Sequence, residues 1–251
     1  MKSFLLALQF LTIIPLKIES FKEQDLAESS KYFPLVGFLL GLILAGAYRL
    51  LLLLNFEPIS INIIVVLLLV ALTGGLHLDG LADTSDAFLS RKNKEQMLKI
   101  MRDSHIGVMG VLSIISIILL KISFLSSISI SSKLVALILM CILSRWCLVF
   151  SILLFPYARE EGKAKIFFQG INLKIFSLAT LITLSFVLLT WQLKGLIVFL
   201  ITAISTYIIG KFIKNIFNGI TGDTLGTINE LIEVLVLFSI CIMERISLWI
   251  T

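Results

Sequence analysis

Residues 58–88 read PISINIIVVLLLVALTGGLHLDGLADTSDAF, and this stretch decides the fold. Its first part, 58–76, is an apolar run long enough to cross a bilayer, which takes about 20 residues of helix. Its second part, Gly74 to Phe88, ends that run with a histidine and three carboxylates. On a helix Asp79, Asp83 and Asp86 are spaced i, i+4, i+7, so all three project from one face with Cβ atoms roughly 5–6 Å apart. Three like charges this close repel unless a cation sits among them. Hard oxygen ligands of this kind suit magnesium, which keeps several waters and is completed by substrate phosphates rather than by an all-protein cage. A solvated helix end is the plainer reading of the three acids. Against it, Gly74, Gly75 and Gly80 allow close backbone approach, and no lysine pairs with the stripe at i+4.

Composition extends the membrane reading to the whole chain. Of 251 residues, 58% are hydrophobic and only 15% charged, with a mean hydropathy of +1.06, outside the range of a soluble domain. The net charge of +5 would suit nucleic acid, but no basic run interleaves aromatics for base stacking, and lysines and arginines flanking membrane spans give the same total. Nucleic acid is therefore not expected as a partner; membrane lipid is. Cys141, Cys147 and Cys241 lie in apolar stretches without metal-ligand spacing and read as small hydrophobes.

The expected fold is an all-α, polytopic membrane helix bundle, a single domain over 1–251. Apolar runs at 33–55, 58–76, 106–128, 134–155, 175–192, 195–212 and 227–249 give seven spans. The connections alternate between polar ones (17–32, 77–105, 156–174, 213–226) and short, nearly uncharged ones. With this alternation 15 of the 21 basic residues fall on one side, which the positive-inside rule assigns to the cytoplasm, with the amino terminus inside and the carboxyl terminus outside. That places the chain in the inner cell membrane with its polar connections facing the cytoplasm. Trp191 and Trp249 fall at outer ends, Tyr32 and Tyr157 at inner ends, as interface belts require. Met1 to Leu16 begins like a signal peptide, but no small-residue cleavage site follows; Gln9 interrupts the run and Pro15 ends it, so a retained short helix, interfacial or re-entrant, is expected. Gly37 and Gly41 form a small-xxx-small pair suited to close helix packing. Residues 94–103 alternate Met97, Leu98, Ile100 and Met101 with charges, as an amphipathic helix lying on the membrane surface would.

Polar chemistry collects in the cytoplasmic connections. Besides the aspartate stripe, Arg102, Asp103, Ser104 and His105 bring an acid, a base and an imidazole to the mouth of the next span, where Asp103 or Ser104 also reads as a helix N-cap. Tyr157 to Lys165 carries Arg159 and Lys163 in a run of mixed charge that serves equally as positive-inside anchoring. Arg145 lies inside its span, where a guanidinium is costly without a partner or a wet cavity. It is read here as facing a cavity and holding substrate phosphate; the other reading pairs it with Glu230 or Glu233. Thr221-Gly222-Asp223-Thr224-Leu225-Gly226 is a Gly-containing turn into a helix start, an anion cradle by geometry, but Asp223, Glu230 and Glu233 favour a metal or Arg145 as partner.

These stretches resemble the cobalamin synthases, also called adenosylcobinamide-GDP ribazoletransferases. The similarity rests on Gly74 to Asp86, on Arg102 to Gly107 and on Thr221 to Gly226 with Glu230 and Glu233. It extends to Leu8-Gln9-Phe10-Leu11-Thr12, Phe33-Pro34-Leu35-Val36-Gly37 and Tyr157-Ala158-Arg159, and so covers the chain in order. The resemblance implies a magnesium-dependent membrane enzyme that joins α-ribazole, or its 5′-phosphate, to adenosylcobinamide-GDP and releases GMP. The candidate catalytic residues are then Asp79, Asp83, Asp86, Asp103 and His105; the substrate-binding ones Arg102, Arg145, Arg159, Lys163, Thr221 and Gly222; the magnesium ligands Asp79, Asp83, Asp86, Asp223 and Glu230. Two rival classes are an alcohol phosphotransferase of phospholipid synthesis, whose aspartate pattern continues with an Ala-Arg pair where this chain has Ala82-Asp83, and a transporter, which would need ionisable groups converging at the bilayer midplane.

Overall fold

The computed structural model describes residues 2–18 and 20–250, and the side chains of all of these except 247–250. Trp249, expected at an outer end, therefore lies outside the described side chains. Among the described residues there is no strand, only an isolated bridge between Tyr157 and Ile220. The helices are α1 (Lys2–Leu11), α2 (Glu23–Ser29), α3 (Phe33–Leu53), α4 (Pro58–Thr73), α5 (Leu76–Leu89), α6 (Lys94–Ile100), α7 (Val108–Ser127), α8 (Ile130–Leu154), α9 (Lys165–Gly170), α10 (Leu173–Phe217) and α11 (Gly222–Ile250).

Five helical segments are long and apolar enough to cross a membrane. One of them counts twice. At 45 residues α10 would run about 67 Å if straight, more than twice a hydrocarbon core. Trp191 and Gln192 leave helical geometry (φ −143°, ψ 16° and φ 48°, ψ −132°), and beyond them the chain reverses. A Cβ on Gly195 would lie 2.8 Å from the carbonyl oxygen of Val187, eight residues earlier, which a continuous helix would hold about 12 Å away. Phe176 and Phe199 likewise both reach the ring of Trp146. So α10 is a helical hairpin of limbs 173–190 and 193–217, turning at Trp191. With the two limbs of α10 counted separately and α4 added, seven apolar helical segments follow the runs expected from sequence.

The core is made by α8, α3 and α11. Helix α8 buries nearly its whole length, including Trp146 and Arg145. It packs on α3 through the glycine pair: a Cβ on Gly41 would come within 2.7 Å of Ile138 Cα, so only glycine lets the two backbones approach this closely. The outward faces of α7 and α10 remain apolar and bare, with Leu189 at 79% and Leu119 at 60% exposure; such faces belong against lipid, not water. Helix α1, about 15 Å long, is too short to span. It buries Leu6, Ala7 and Leu11, and the following Ile13 donates its N–H to the carbonyl of Leu72 at the end of α4 (2.9 Å). Helix α6 buries Met97 and exposes Glu95 and Lys99, with Lys94 half-buried.

Candidate active site

Gly74 and Gly75 make the site. Both have left-handed φ (60° and 69°), a conformation glycine adopts without steric cost, and two in succession turn α5 by 89° from α4. If α4 crosses the bilayer, α5 runs along its surface. Gly80 and Gly226 then let α5 lie directly on α11: a Cβ on Gly80 would sit 2.6 Å from the carbonyl oxygen of Asp223, and one on Gly226 would sit 3.0 Å from that of His77. The Thr227 hydroxyl donates to the Gly80 carbonyl (3.2 Å). This contact sets Asp79 and Asp83 beside Asp223, in the first turn of α11.

The start of α11 is fixed by a reciprocal cap: the Thr224 N–H donates to Thr221 Oγ1 (3.1 Å) and the Thr221 N–H to Thr224 Oγ1 (2.8 Å). Just before it, Ile220 pairs with the chain leaving α8, its N–H donating to Pro156 O (2.8 Å) and its carbonyl accepting from Ala158 N–H (2.9 Å). That pairing carries Arg159 to Asp223, with Nη2 to Oδ2 at 2.7 Å. Burial, then the charges of Asp79 and Asp223, push the Asp83 carboxyl up to about 7, with Arg159 opposing. Burial is the larger cause, and the neighbouring carboxylates add to it, so a cation placed here would be favoured.

Beside the acids lies a cavity of about 330 Å³. Phe10, Phe33, Ile152 and Phe167 form its apolar wall; His77, Asp79, Arg159, Lys163, Gly222 and Asp223 form the polar one. His77 is buried and its Nδ1 has no partner.

Not all the expected site residues gather here. Asp86 faces α7, where its carboxylate accepts the N–H groups of Gly107 (2.7 Å) and Gly110 (2.9 Å); both oxygens cap a helix amino terminus, where a negative charge is favoured, so this third member of the stripe is occupied structurally. Asp103 and His105 sit on an exposed turn, paired with each other (Oδ1 to Nδ1, 2.6 Å) at 58% and 90% side-chain exposure, and that hydrogen bond holds the Asp103 carboxyl below its usual range. They do not line the cavity. Arg102 lies on a neighbouring groove with Arg159. Thr221 is buried in its cap, whereas Lys163 and Gly222 do line the cavity.

Arg145 and Glu230 need correction. Arg145 has no exposed surface and faces no described cavity; it pairs with Glu233 and donates to Ser144 (2.8 Å), so it is a buried structural partner and not a phosphate ligand. Glu230 is engaged by Lys121 (2.6 Å), which also holds Glu233 (2.5 Å). Lys121 escaped the sequence reading, although a lone lysine inside a span carries the same signal as Arg145. Asn229 closes the network on Glu233 (3.0 Å). These four charges, Lys121, Arg145, Glu230 and Glu233, satisfy one another inside the bundle.

The five-ligand magnesium set is therefore not assembled; among the described residues no group of three or more His, Cys, Asp or Glu is arranged to hold a metal. Asp79, Asp83 and Asp223 remain, close enough to feel one another's charge. That donor set fits a cation held by one or two carboxylates and completed by phosphate oxygens and water, which is how magnesium is usually bound.

Residues 3–241 match the family model described as cobalamin-5-phosphate synthase. The chain is 37% identical over 250 residues to an adenosylcobinamide-GDP ribazoletransferase of Desulforamulus reducens, covering 98% of each protein. It is 38% identical over 238 residues to the protein of that name in Caldanaerobacter subterraneus subsp. tengcongensis, covering 94% of this chain and 96% of the relative. A third, in Clostridioides difficile, is 36% identical over 259 residues, covering 97% and 98%. No solved structure matches.

Proposed function

The chain belongs to the cobalamin-5-phosphate synthase family, and from that premise we propose that it joins α-ribazole or its 5′-phosphate to adenosylcobinamide-GDP, releasing GMP and completing the nucleotide loop of the corrinoid. The observation that carries the reading is the convergence of Asp79, Asp223, Arg159 and Lys163 on one cavity with an aromatic wall. The apolar wall suits the flat base of the ribazole; the cations suit the pyrophosphate of the donor.

A ribazole hydroxyl attacks a phosphorus of the donor, its proton leaves to one of the aspartates, and the bond to the departing GMP breaks in line. Arg159, held at Asp223, and Lys163 neutralise charge on the phosphate oxygens. Phe10, Phe33 and Phe167 give the ribazole an apolar wall to lie on, which places its hydroxyl beside the phosphate-binding cations. One or two of Asp79, Asp83 and Asp223 would hold magnesium, which would supply further charge neutralisation at the pyrophosphate. Since 15 of 21 basic residues share this end of the bundle, the site opens to the cytoplasm of the inner membrane.

The test is GMP release from adenosylcobinamide-GDP by purified protein in detergent, with and without magnesium and ribazole. Release should require both, and Asp79→Asn, which removes charge at nearly constant volume, should abolish it while leaving membrane abundance unchanged. Turnover by Asp79→Asn at the normal rate across magnesium concentrations refutes the metal role.

A further inference from the structure

Two cavities meet at Arg159. Besides the one already described, a groove of about 370 Å³ runs between α6 and residues 158–160, with Lys94, Lys99, Arg102 and Arg159 on its walls and Glu95 and Glu160 among them. The two differ in chemistry: the first has an aromatic wall, the second is lined mainly by charge. Lys94, Lys99 and Arg102 make no ion pair among the described residues, which leaves the groove with an unanswered positive surplus. Arg159 belongs to both. Its side chain is only 10% exposed and one Nη is spent on Asp223, yet its Nε is buried with no acceptor, a state that costs free energy until an acceptor arrives. A guanidinium with one Nη committed and an Nε that lacks an acceptor suits a phosphate better than a lysine would.

Size makes a second place necessary. A cavity of about 330 Å³ is at the lower end of what small-molecule sites need, enough for one nucleoside-sized ligand but not for two, and far too small for a corrin ring. We infer that the groove beside α6 receives the guanosine-phosphate half of the donor, while the aromatic cavity takes the acceptor, with the pyrophosphate laid across Arg159. This division rests on the donor being a guanosine diphosphate ester, as proposed above. It leaves the corrinoid outside both cavities, so that discrimination between donor and acceptor comes from different residues.

The test uses the full chain reconstituted in lipid and reads GMP binding directly, without turnover. The double variant Lys94→Ala, Lys99→Ala should weaken GMP binding and raise KM for adenosylcobinamide-GDP roughly tenfold, two exposed charge pairs being worth about that much, while KM for α-ribazole stays within twofold. Glu95→Gln, which removes a repelling carboxylate, should tighten GMP binding, and Lys92→Ala, on the surface outside the groove, should change nothing. GMP affinity unchanged in both groove variants, or a rise in ribazole KM in place of the donor's, overturns the assignment. Because GMP binding needs no reaction, absence of turnover in the unaltered protein would count against the proposed reaction alone.

Discussion

Gly80→Ala should separate folding from catalysis. The added Cβ would lie 2.6 Å from the Asp223 carbonyl oxygen and 2.9 Å from its Cα. These are backbone atoms, so no rotamer change relieves them, and α5 must move off α11 by roughly 0.8 Å to reach ordinary contact. Overpacking of this kind costs about 1–3 kcal/mol, but alanine regains about 1 kcal/mol over glycine inside a helix, so the net loss of stability is about 0–2 kcal/mol and the chain still folds. Activity should suffer more, because the same displacement carries Asp79 and Asp83 away from Asp223 and Arg159, and a misplacement near 1 Å costs about a hundredfold in rate. The comparison is Gly46→Ala in α3, where the new Cβ meets nothing within 4 Å; it should gain slight stability and keep full activity. GMP release per mole of folded protein, measured with the thermal midpoint in the same detergent preparation, decides the matter. Specific activity of Gly80→Ala within twofold of the unaltered protein, or an equal fall in Gly46→Ala, refutes the claim that this backbone contact positions the site.

Asp83 gives a pH signature: its carboxyl titrates near 7 in the fold but near 4 when unfolded, so between those values the folded chain binds the extra proton and stability falls as pH rises from about 4 to 7, then levels. In magnesium-free detergent the thermal midpoint should show this fall, and both Asp83→Asn and added magnesium should reduce it; the same slope in all three samples excludes the assignment. Cysteines introduced at Asn93 and Lys163 should be protected from an impermeant thiol reagent in intact cells while one at Ser131 is labelled, the three native cysteines being buried and silent; labelling at all three introduced positions contradicts the seven-span topology. Lys121→Met strands Glu230, while Glu233 keeps Arg145, at a cost of about 3–5 kcal/mol, and should deplete the protein from membranes, whereas Lys121→Met with Glu230→Gln should recover abundance; equal depletion in both would show that the charge balance of the network is not what matters.

The spans were legible because apolar length is a local property, and the hairpin in α10 was legible for the same reason: two runs of bilayer length, 175–192 and 195–212, meet where Trp191 and Gln192 leave helical geometry. What escaped is everything that depends on which helix faces which. The spacing of Asp79, Asp83 and Asp86 puts them on one face of α5, but a helix face is wide enough to meet two partners, and Asp86 meets the amino terminus of α7 while the other two meet α11. Periodicity cannot tell these apart, since a carboxylate answers a backbone N–H as readily as it answers a cation. Glu230 and Glu233 show the same ambiguity in the opposite sense: they looked like partners for a metal or for Arg145, and the lysine that joins them arrives from α7, more than a hundred residues earlier in the chain. A charge inside a span announces that a partner exists; only the packing of the bundle names it. The site itself escapes this limit because two local devices, the left-handed pair Gly74-Gly75 and the bare backbone at Gly80, turn α5 away from α4 and let its Asp79 end lie directly on α11, and both are written in residues that stand close to the acids they position.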